Sequence, residues 1–439
     1  MSSTLDLQSA LERVEGASPV TKLGRVTELT GLILRATAPG ARSGELVLIE
    51  RENGDPVPAE VVGFRGHEVV LLPLGVADGL GPDSVVRPTG RPFSIRCGPS
   101  LLGRVLNGLG QPIDQMPPID PEMVWWPVER QPPDPLLRRR ITTPLSFGIR
   151  AVDSLLTIGE GQRIGLFSGP GLGKSILLGQ MARNSDAEVI VIGMIGERGR
   201  EVRDFLETQI DEATRKRTVC VCATSDAPPL LRLKSALVAT AVAEYFRDQG
   251  KRVLLLVDSL TRIARAQREV GLAAGEPPAR HGYPPSVFAL LPRLLERTGQ
   301  SDKGSITGIY AILTNADADD DPIADEVRAT LDGHIVLSRE LASRNHYPAI
   351  DISRSLSRLM DGIVDEPHRA SAARLRQVLS TYERQRDLVL LGAYREGSDR
   401  ATDDALKRIS AVEEFLRQPR GERPSFEVSR AQLLALFNR

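Results

Sequence analysis

The sequence predicts an α/β chain: a small β-barrel, then a mostly parallel sheet covered by helices, then a helical domain. Three observations predict it. From Gly24 to about Arg91 the apolar runs are short and separated by Gly, Pro and Asn, the texture of a small barrel. From about Ile141 continuous runs of Val, Ile and Leu alternate with helical stretches, as strands buried on both faces of a parallel sheet do. After about Asp361 only helical patterning remains.

The bulk numbers agree. A chain of 439 residues is too long for one core, so two or three domains are expected. Net charge is -1, which leaves no global field to draw the chain to nucleic acid or anionic lipid. The cysteines, Cys97, Cys220 and Cys222, have no further ligand at metal-binding spacing and read as buried thiols. No basic segment followed by an apolar stretch opens the chain, and no run approaches the length of a membrane span. The expected compartment is the cytoplasm.

In order along the chain, residues 1–20 place Leu5, Leu7, Leu11 and Val14 at roughly helical spacing. The runs "TGLILRAT", "GELVLIE", "PAEVVGFRG" and "HEVVLLPL" supply the barrel strands of a domain over 21–95. A connector rich in proline follows (Pro112, Pro117, Pro118, Pro121, Pro127, Pro132, Pro133, Pro135), which precludes long helices. Its Trp125 and Trp126 are expected to pack against the neighbouring domain. The sheet strands are "QRIGLFSG", "AEVIVIGMIG", "RTVCVCAT", "KRVLLLVDS", "SITGIYAILTN" and "GHIVLSR", within a domain over 96–360. The stretches "HRASAARLRQVLSTYERQRDLVLLGA" and "DDALKRISAVEEFLRQ" give helices to a domain over 361–439.

The chemistry starts at "SGPGLGKS", Ser168 to Ser175, a glycine-rich turn between a strand and a helix. Gly169, Gly171 and Gly173 allow the backbone to curl so that N–H groups face a phosphate at the helix N-terminus. Lys174 adds a positive charge for the β- and γ-phosphates, and Ser175 a hydroxyl for Mg²⁺. Ser168 stands where the strict pattern has Gly, at the strand end before the curl, where a small side chain fits. Asp258 ends a buried strand, as a carboxylate that holds Mg²⁺ through water does. Glu197, at the end of "VIGMIGE", is the choice for polarising the attacking water, with Arg198 and Glu201 as near rivals.

Together, "SGPGLGKSILL", "IGERGREVRDFLE", "LLLVDSLTRIARAQREVGLAAGEPP", "GYPPSVFALLPRLLERTG", "LDGHIVLSRELASRNHYPAID" and "LGAYREGSD" resemble the type III export ATPases of flagella and injectisomes. These are relatives of the catalytic subunits of F-type and V-type rotary enzymes. The resemblance implies an N-terminal β-barrel, a RecA-like P-loop ATPase core and a C-terminal helical domain, in a homohexameric ring with nucleotide at subunit interfaces. It implies ATP and Mg²⁺, with Gly169, Gly171, Leu172, Gly173, Lys174, Ser175 and Ile176 around the phosphates and Tyr347 stacked on adenine. Lys174, Glu197, Arg198 and Asp258 would be catalytic, with Ser175 and Asp258 toward the metal. Arg358 matches the arginine finger given to a neighbour's γ-phosphate, with Arg354 as the competing assignment.

The implied partners are a stator-type regulator at the N-terminal segment, a central stalk protein, export chaperone–substrate complexes and, indirectly, the membrane export gate, with no nucleic acid. The implied location is cytoplasmic, peripheral at the inner-membrane export apparatus. The loop "GLAAGEPPARHGYPP", with Arg280, is expected to face the ring centre. Thr314 and Asn315 depart from the family's usual Val-Glu. Three other readings compete: an RNA-dependent hexameric helicase, a rotary synthase catalytic subunit, and a regulatory nucleotide-binding protein without turnover, against which Glu197 argues.

Overall fold

The computed structural model describes residues 22–119, 122–314 and 321–437. The expected helix over 1–20, and Asn315, lie outside these residues. The chain forms two compact units that meet in sequence between Phe93 and Ser94.

The first unit is a closed barrel of β1 (Gly24–Thr30), β2 (Ile33–Thr37), β3 (Glu45–Ile49), β4 (Val57–Arg65), β5 (Glu68–Pro73) and β6 (Val85–Pro92), in the order β1-β2-β5-β4-β3-β6. Its core follows the two-residue period. Val47 and Ile49 of β3, Leu34 and Ala36 of β2, and Val69 and Leu71 of β5 point inward. A one-residue slip would turn all of these to solvent, so burial fixes the register.

The second unit carries a sheet of β8 (Val105–Leu106), β10 (Arg163–Ser168), β11 (Val189–Glu197), β12 (Thr218–Thr224), β13 (Arg252–Asp258), β14 (Gly299–Gln300), β15 (Ser305–Leu313), β16 (Gly333–Val336) and β17 (Leu356–Ser357). The order is β17-β16-β10-β15-β13-β11-β12-β8, with β14 pairing β15. From β16 to β8 every pairing is parallel. The six apolar runs read from the sequence are six of these strands. In the second unit too, β7 (Ser94–Cys97) pairs with β9 (Val124–Pro127), a two-stranded ribbon whose second strand lies inside the proline-rich connector. Trp126 packs edge-on against Tyr245 with ring centroids 5.5 Å apart. Trp125, contrary to expectation, is 56% exposed, because the pleat of β9 turns it to the opposite face. All three thiols are buried, and burial pushes Cys97 up to about 12 and Cys222 up to about 11.

The helices Glu366–Leu390, Arg400–Leu416 and Phe426–Ala435 close the chain. Each begins on a side-chain cap, from Asp365, Asp399 and Ser425, that satisfies backbone N–H groups the helix leaves free. They lock onto the short helix Arg150–Leu155. Arg376 donates to Leu155 O at 2.7 Å and to Ile352 O at 2.7 Å, and His368 Nε2 lies 2.7 Å from Ser154 O. Asp153, on the same helix, accepts from Phe147 N and Gly148 N, each at 2.9 Å, and from Ser146 Oγ at 3.0 Å. Burial pushes the Asp153 carboxyl up to about 7, against the pull of those donors. Deeper in the unit, Arg297 and Glu244 form a bidentate pair at 2.8 Å and 2.7 Å, 4% and 1% exposed.

Candidate active site

The ends of β10, β11 and β13 converge on one cleft. Because these strands are parallel, their C-terminal residues, Ser168, Glu197 and Asp258, come out on the same edge of the sheet. That edge is where ligands bind in open α/β sheets.

After β10 the chain turns through Gly171 (φ +77) and Gly173 (φ +89), angles that side chains resist, and enters the helix Lys174–Asn184. Gly173 is the cap residue and offers no side-chain acceptor, so the first N–H groups of the helix are left for a ligand. Leu172 is buried and pins the loop. Ser168 is buried and donates from Oγ to Gly169 O at 2.8 Å. It serves its own turn and leaves the curl free, as its place at the strand end led us to expect.

Four charges meet beyond the loop. Lys174 Nζ contacts Asp258 Oδ1 and lies 3.7 Å from Glu197 Oε1. Arg262 holds Glu197 by both oxygens, Nε to Oε1 at 3.0 Å and Nη2 to Oε2 at 3.1 Å. Both carboxylates are 5% exposed. Burial raises the Asp258 carboxyl, Lys174 opposes that shift, and Glu197 adds to it. Glu197 reaches its place through an irregularity of β11 at Gly196 (φ +71). A Cβ there would sit 2.9 Å from Arg262 Cδ and 3.2 Å from its Cβ, so a side chain at this position would push the Arg262 stem aside.

The cleft holds about 630 Å³ and is lined by Gly171, Lys174, Ser175, Glu197, Arg262 and Tyr347 among others. The hydroxyl and carboxylate donors offered by Ser175 and Asp258 suit a hard cation such as Mg²⁺, which completes its shell with water and substrate phosphates. Among the described residues no cluster of three His, Cys, Asp or Glu is placed to cage a metal by itself. Beside the phosphate loop a narrow crevice runs between Leu172, Ile176, Tyr347 and Pro348. The Tyr347 ring comes within 3.6 Å of where a Cβ on Gly173 would be. Arg198 lines the cleft mouth with its side chain 77% exposed, 3.8 Å from Glu201.

Arg358 stands apart. Its N–H donates to Asp332 O at 3.0 Å and its Nη2 to Arg328 O at 3.1 Å. Asp332 in turn binds Arg163, the first residue of β10. Arg358 is therefore at the other end of β10 from the phosphate loop, roughly 17 Å of strand away. Arg354 is exposed too, its carbonyl 3.0 Å from His334 Nε2. Thr314 donates its N–H to Ser168 O at 3.1 Å and so supports the strand end under the loop.

Residues 148–357 match the ATP synthase alpha/beta family, nucleotide-binding domain, and residues 26–90 match its beta-barrel domain. Residues 364–435 match the T3SS EscN ATPase C-terminal domain. The type 3 secretion system ATPase of Xanthomonas euvesicatoria is 49% identical over 423 residues, 96% of each chain. The chain belongs to the type III export ATPases. The flagellum-specific ATP synthase of Bacillus subtilis is 44% identical over 98% of each chain. Among solved structures, the assembled ATPase EscN of enteropathogenic E. coli superposes with a TM-score of 0.89 at 45% identity, covering 94% of this chain and 99% of that one.

As a type III export ATPase, the protein hydrolyses ATP to energise protein export. The secretion-type C-terminal domain, in place over 364–435, decides for this reading over the RNA-dependent helicase and the rotary synthase subunit. Sequence reasoning missed Arg262, Gln418 and Arg420. Arg262 lies four residues after Asp258 on the helix Leu260–Ala273, a spacing that points it back at the strand ends. Gln418 and Arg420 line the crevice from the loop after Arg400–Leu416, with no local signal to mark them.

Proposed function

We propose that each site binds ATP with its phosphates in the curl from Gly171 to Ser175 and its base in the crevice beside Tyr347. The quartet of Lys174, Asp258, Glu197 and Arg262 carries this reading. Lys174 neutralises the β- and γ-phosphates, and Ser175 and Asp258 hold Mg²⁺, which supplies charge neutralisation on the phosphates. Glu197 accepts a hydrogen bond from the attacking water and takes its proton as the bond to phosphorus forms. Arg262 keeps that carboxylate aimed. Arg198, at the mouth, faces incoming phosphate.

Arg358, remote from its own cleft, completes the site of a neighbouring copy, where it stabilises charge on the transferred phosphoryl group. Because Glu197 and Arg358 are on one chain, identical subunits complete one another in a closed ring of six. The likeness to the assembled EscN supports the ring, and the structure of EscN in complex with its central stalk EscO supports a stalk partner. Residues 1–20 bind a stator-type regulator, the loop with Arg280 couples nucleotide state to the ring centre, and the ring releases export substrates from their chaperones below the membrane gate. Among the described residues no helix is long and apolar enough to cross a membrane. Its place of work is the cytoplasmic face of the export apparatus.

Turnover per subunit against protein concentration, for wild type and Arg358→Ala, tests the core of this reading. A rise with concentration that the variant lacks supports a shared site. Turnover that is flat and equal in both removes Arg358 from it.

A further inference from the structure

One wall of the base crevice is a stripe of the phosphate-loop helix. Gly173, Ile176, Leu177 and Gln180 follow at three- and four-residue steps and so share a face. Tyr347 and Pro348 form a second wall, and Gln418 and Arg420 close the crevice from the C-terminal helical region. Most of this lining is apolar. Gln418 is fully committed elsewhere: its Oε1 accepts from Arg150 N at 2.8 Å, and its Nε2 donates to Gly148 O at 2.8 Å and Glu422 O at 3.1 Å. Arg420 is exposed at the rim and lines the phosphate cleft as well.

Gln180 is different. It is 4% exposed, and its Nε2 is turned to Arg420 O at 3.4 Å. Its Oε1 takes no donor from the described residues and is not sealed among the buried unpartnered atoms, so a donor in the crevice can reach it. The Arg420 carbonyl also fixes which way the amide faces. Turning it over would set Oε1 against another acceptor and forfeit the bond.

We propose that Gln180 reads the base. Its Oε1 accepts a hydrogen bond from the 6-amino group of adenine, whereas the 6-oxo group of guanine or hypoxanthine presents a second acceptor and is repelled. Tyr347 supplies stacking, which every base can use, and Gln180 supplies the choice among purines. This rests on the nucleotide site proposed above.

The test compares ATP, GTP and ITP as substrates of the full-length protein, for wild type and Gln180→Met, a variant of similar length whose thioether is only a weak acceptor. Wild type is expected to favour ATP over ITP by about tenfold in kcat/KM, the worth of one such hydrogen bond. In Gln180→Met the ratio falls to near one, chiefly through KM for ATP, while turnover of ITP is unchanged. Equal kcat/KM for ATP and ITP in wild type, or an unchanged ratio in the variant, overturns the proposal. N6,N6-dimethyl-ATP, which lacks both donor hydrogens, gives a readout without mutation: it is expected to match ITP, and parity with ATP overturns the assignment. Failure of the underlying site has another signature, full ATP turnover by Lys174→Ala.

Discussion

Arg262 grips both oxygens of Glu197, at 3.0 Å and 3.1 Å, from the first turn of the helix that follows β13. The two-point hold fixes the carboxylate plane, which a single contact from Lys174 at 3.7 Å does not. Arg262→Ala is expected to lower kcat on the order of 100-fold, the usual cost of a catalytic group displaced by about an ångström. KM for ATP should change little. Gly196→Ala forces the same loss by another route, since its Cβ would collide with Arg262 Cδ. Steady-state kinetics check both, and a KM effect with kcat intact would place Arg262 in binding.

The loop that closes the base crevice hangs on Arg150. That side chain donates to Phe415 O at 2.9 Å and Arg417 O at 2.7 Å and pairs with Glu422 at 2.5 Å. Arg150→Ala is expected to free the loop and raise KM for ATP by roughly tenfold, about the sum of the lost contacts net of solvation, with kcat near wild type. Fluorescent ATP-analogue binding measures the affinity directly. Unchanged affinity would mean that Gln418 alone suffices to hold the loop.

The strands and the phosphate loop were legible because their signals are local. A continuous apolar run of buried strand, or glycines next to Lys174, stands out in any window of the sequence. The β7–β9 ribbon was hidden by the prolines around it, since pairing between distant short segments leaves no periodic trace. Arg262 was hidden among its like: Arg262, Arg265 and Arg268 repeat along one helix, and only the fold shows which of them meets Glu197. Gln418 comes to the crevice from more than two hundred residues away. Arg358 could be picked out only by resemblance, and its distance from its own cleft is a fact of the sheet.

Asp153 should make stability fall with pH in a defined window. Its carboxyl is pushed up to about 7 by burial, above the ordinary aspartate range near 4. The folded state therefore holds a proton that the unfolded chain has released. The stabilising contribution is complete below about pH 4 and is lost as pH rises through about 7. Asp153→Asn removes this dependence, and it points an N–H at a backbone donor, Phe147 N or Gly148 N. The variant is expected to be less stable throughout, with the gap to wild type narrowing from pH 5 to pH 8. Thermal melts at the two values check it, and a gap that widens would show the carboxylate to be the form the fold prefers.

Arg297 and Glu244 are sealed in the core with their charges matched. Arg297→Ala leaves a buried carboxylate alone and is expected to cost about 3–5 kcal/mol. Replacing both, as Arg297→Met with Glu244→Leu, should recover most of that loss, since an apolar pair of similar volume avoids the desolvation penalty. Urea denaturation of the three proteins decides. A double variant as unstable as the single one would show that the pair is needed for packing around Tyr310 and Thr298, whose hydroxyls meet at 3.2 Å beside it.

The sharing of sites between subunits can be read from two dead proteins. Lys174→Ala spoils a subunit's own phosphate loop but leaves its Arg358 to serve a neighbour. Arg358→Ala does the reverse. Each alone builds a ring in which every interface is defective, and each is expected to lose ~10³-fold or more in turnover. Mixed in equal amounts and reassembled, an interface is intact when the loop comes from the Arg358→Ala subunit and the finger from the Lys174→Ala subunit. Random placement around a closed ring makes that arrangement about one in four. The mixture is therefore expected to regain about a quarter of wild-type turnover if sites act independently, and less if the ring fires cooperatively. No recovery, in samples shown by light scattering to contain rings, would place both residues in the same subunit's site. The choice between the two arginines is settled by the single variants: if Arg358 is the finger, Arg354→Ala keeps its turnover and Arg358→Ala loses it, and if Arg354 is the finger the outcomes are exchanged.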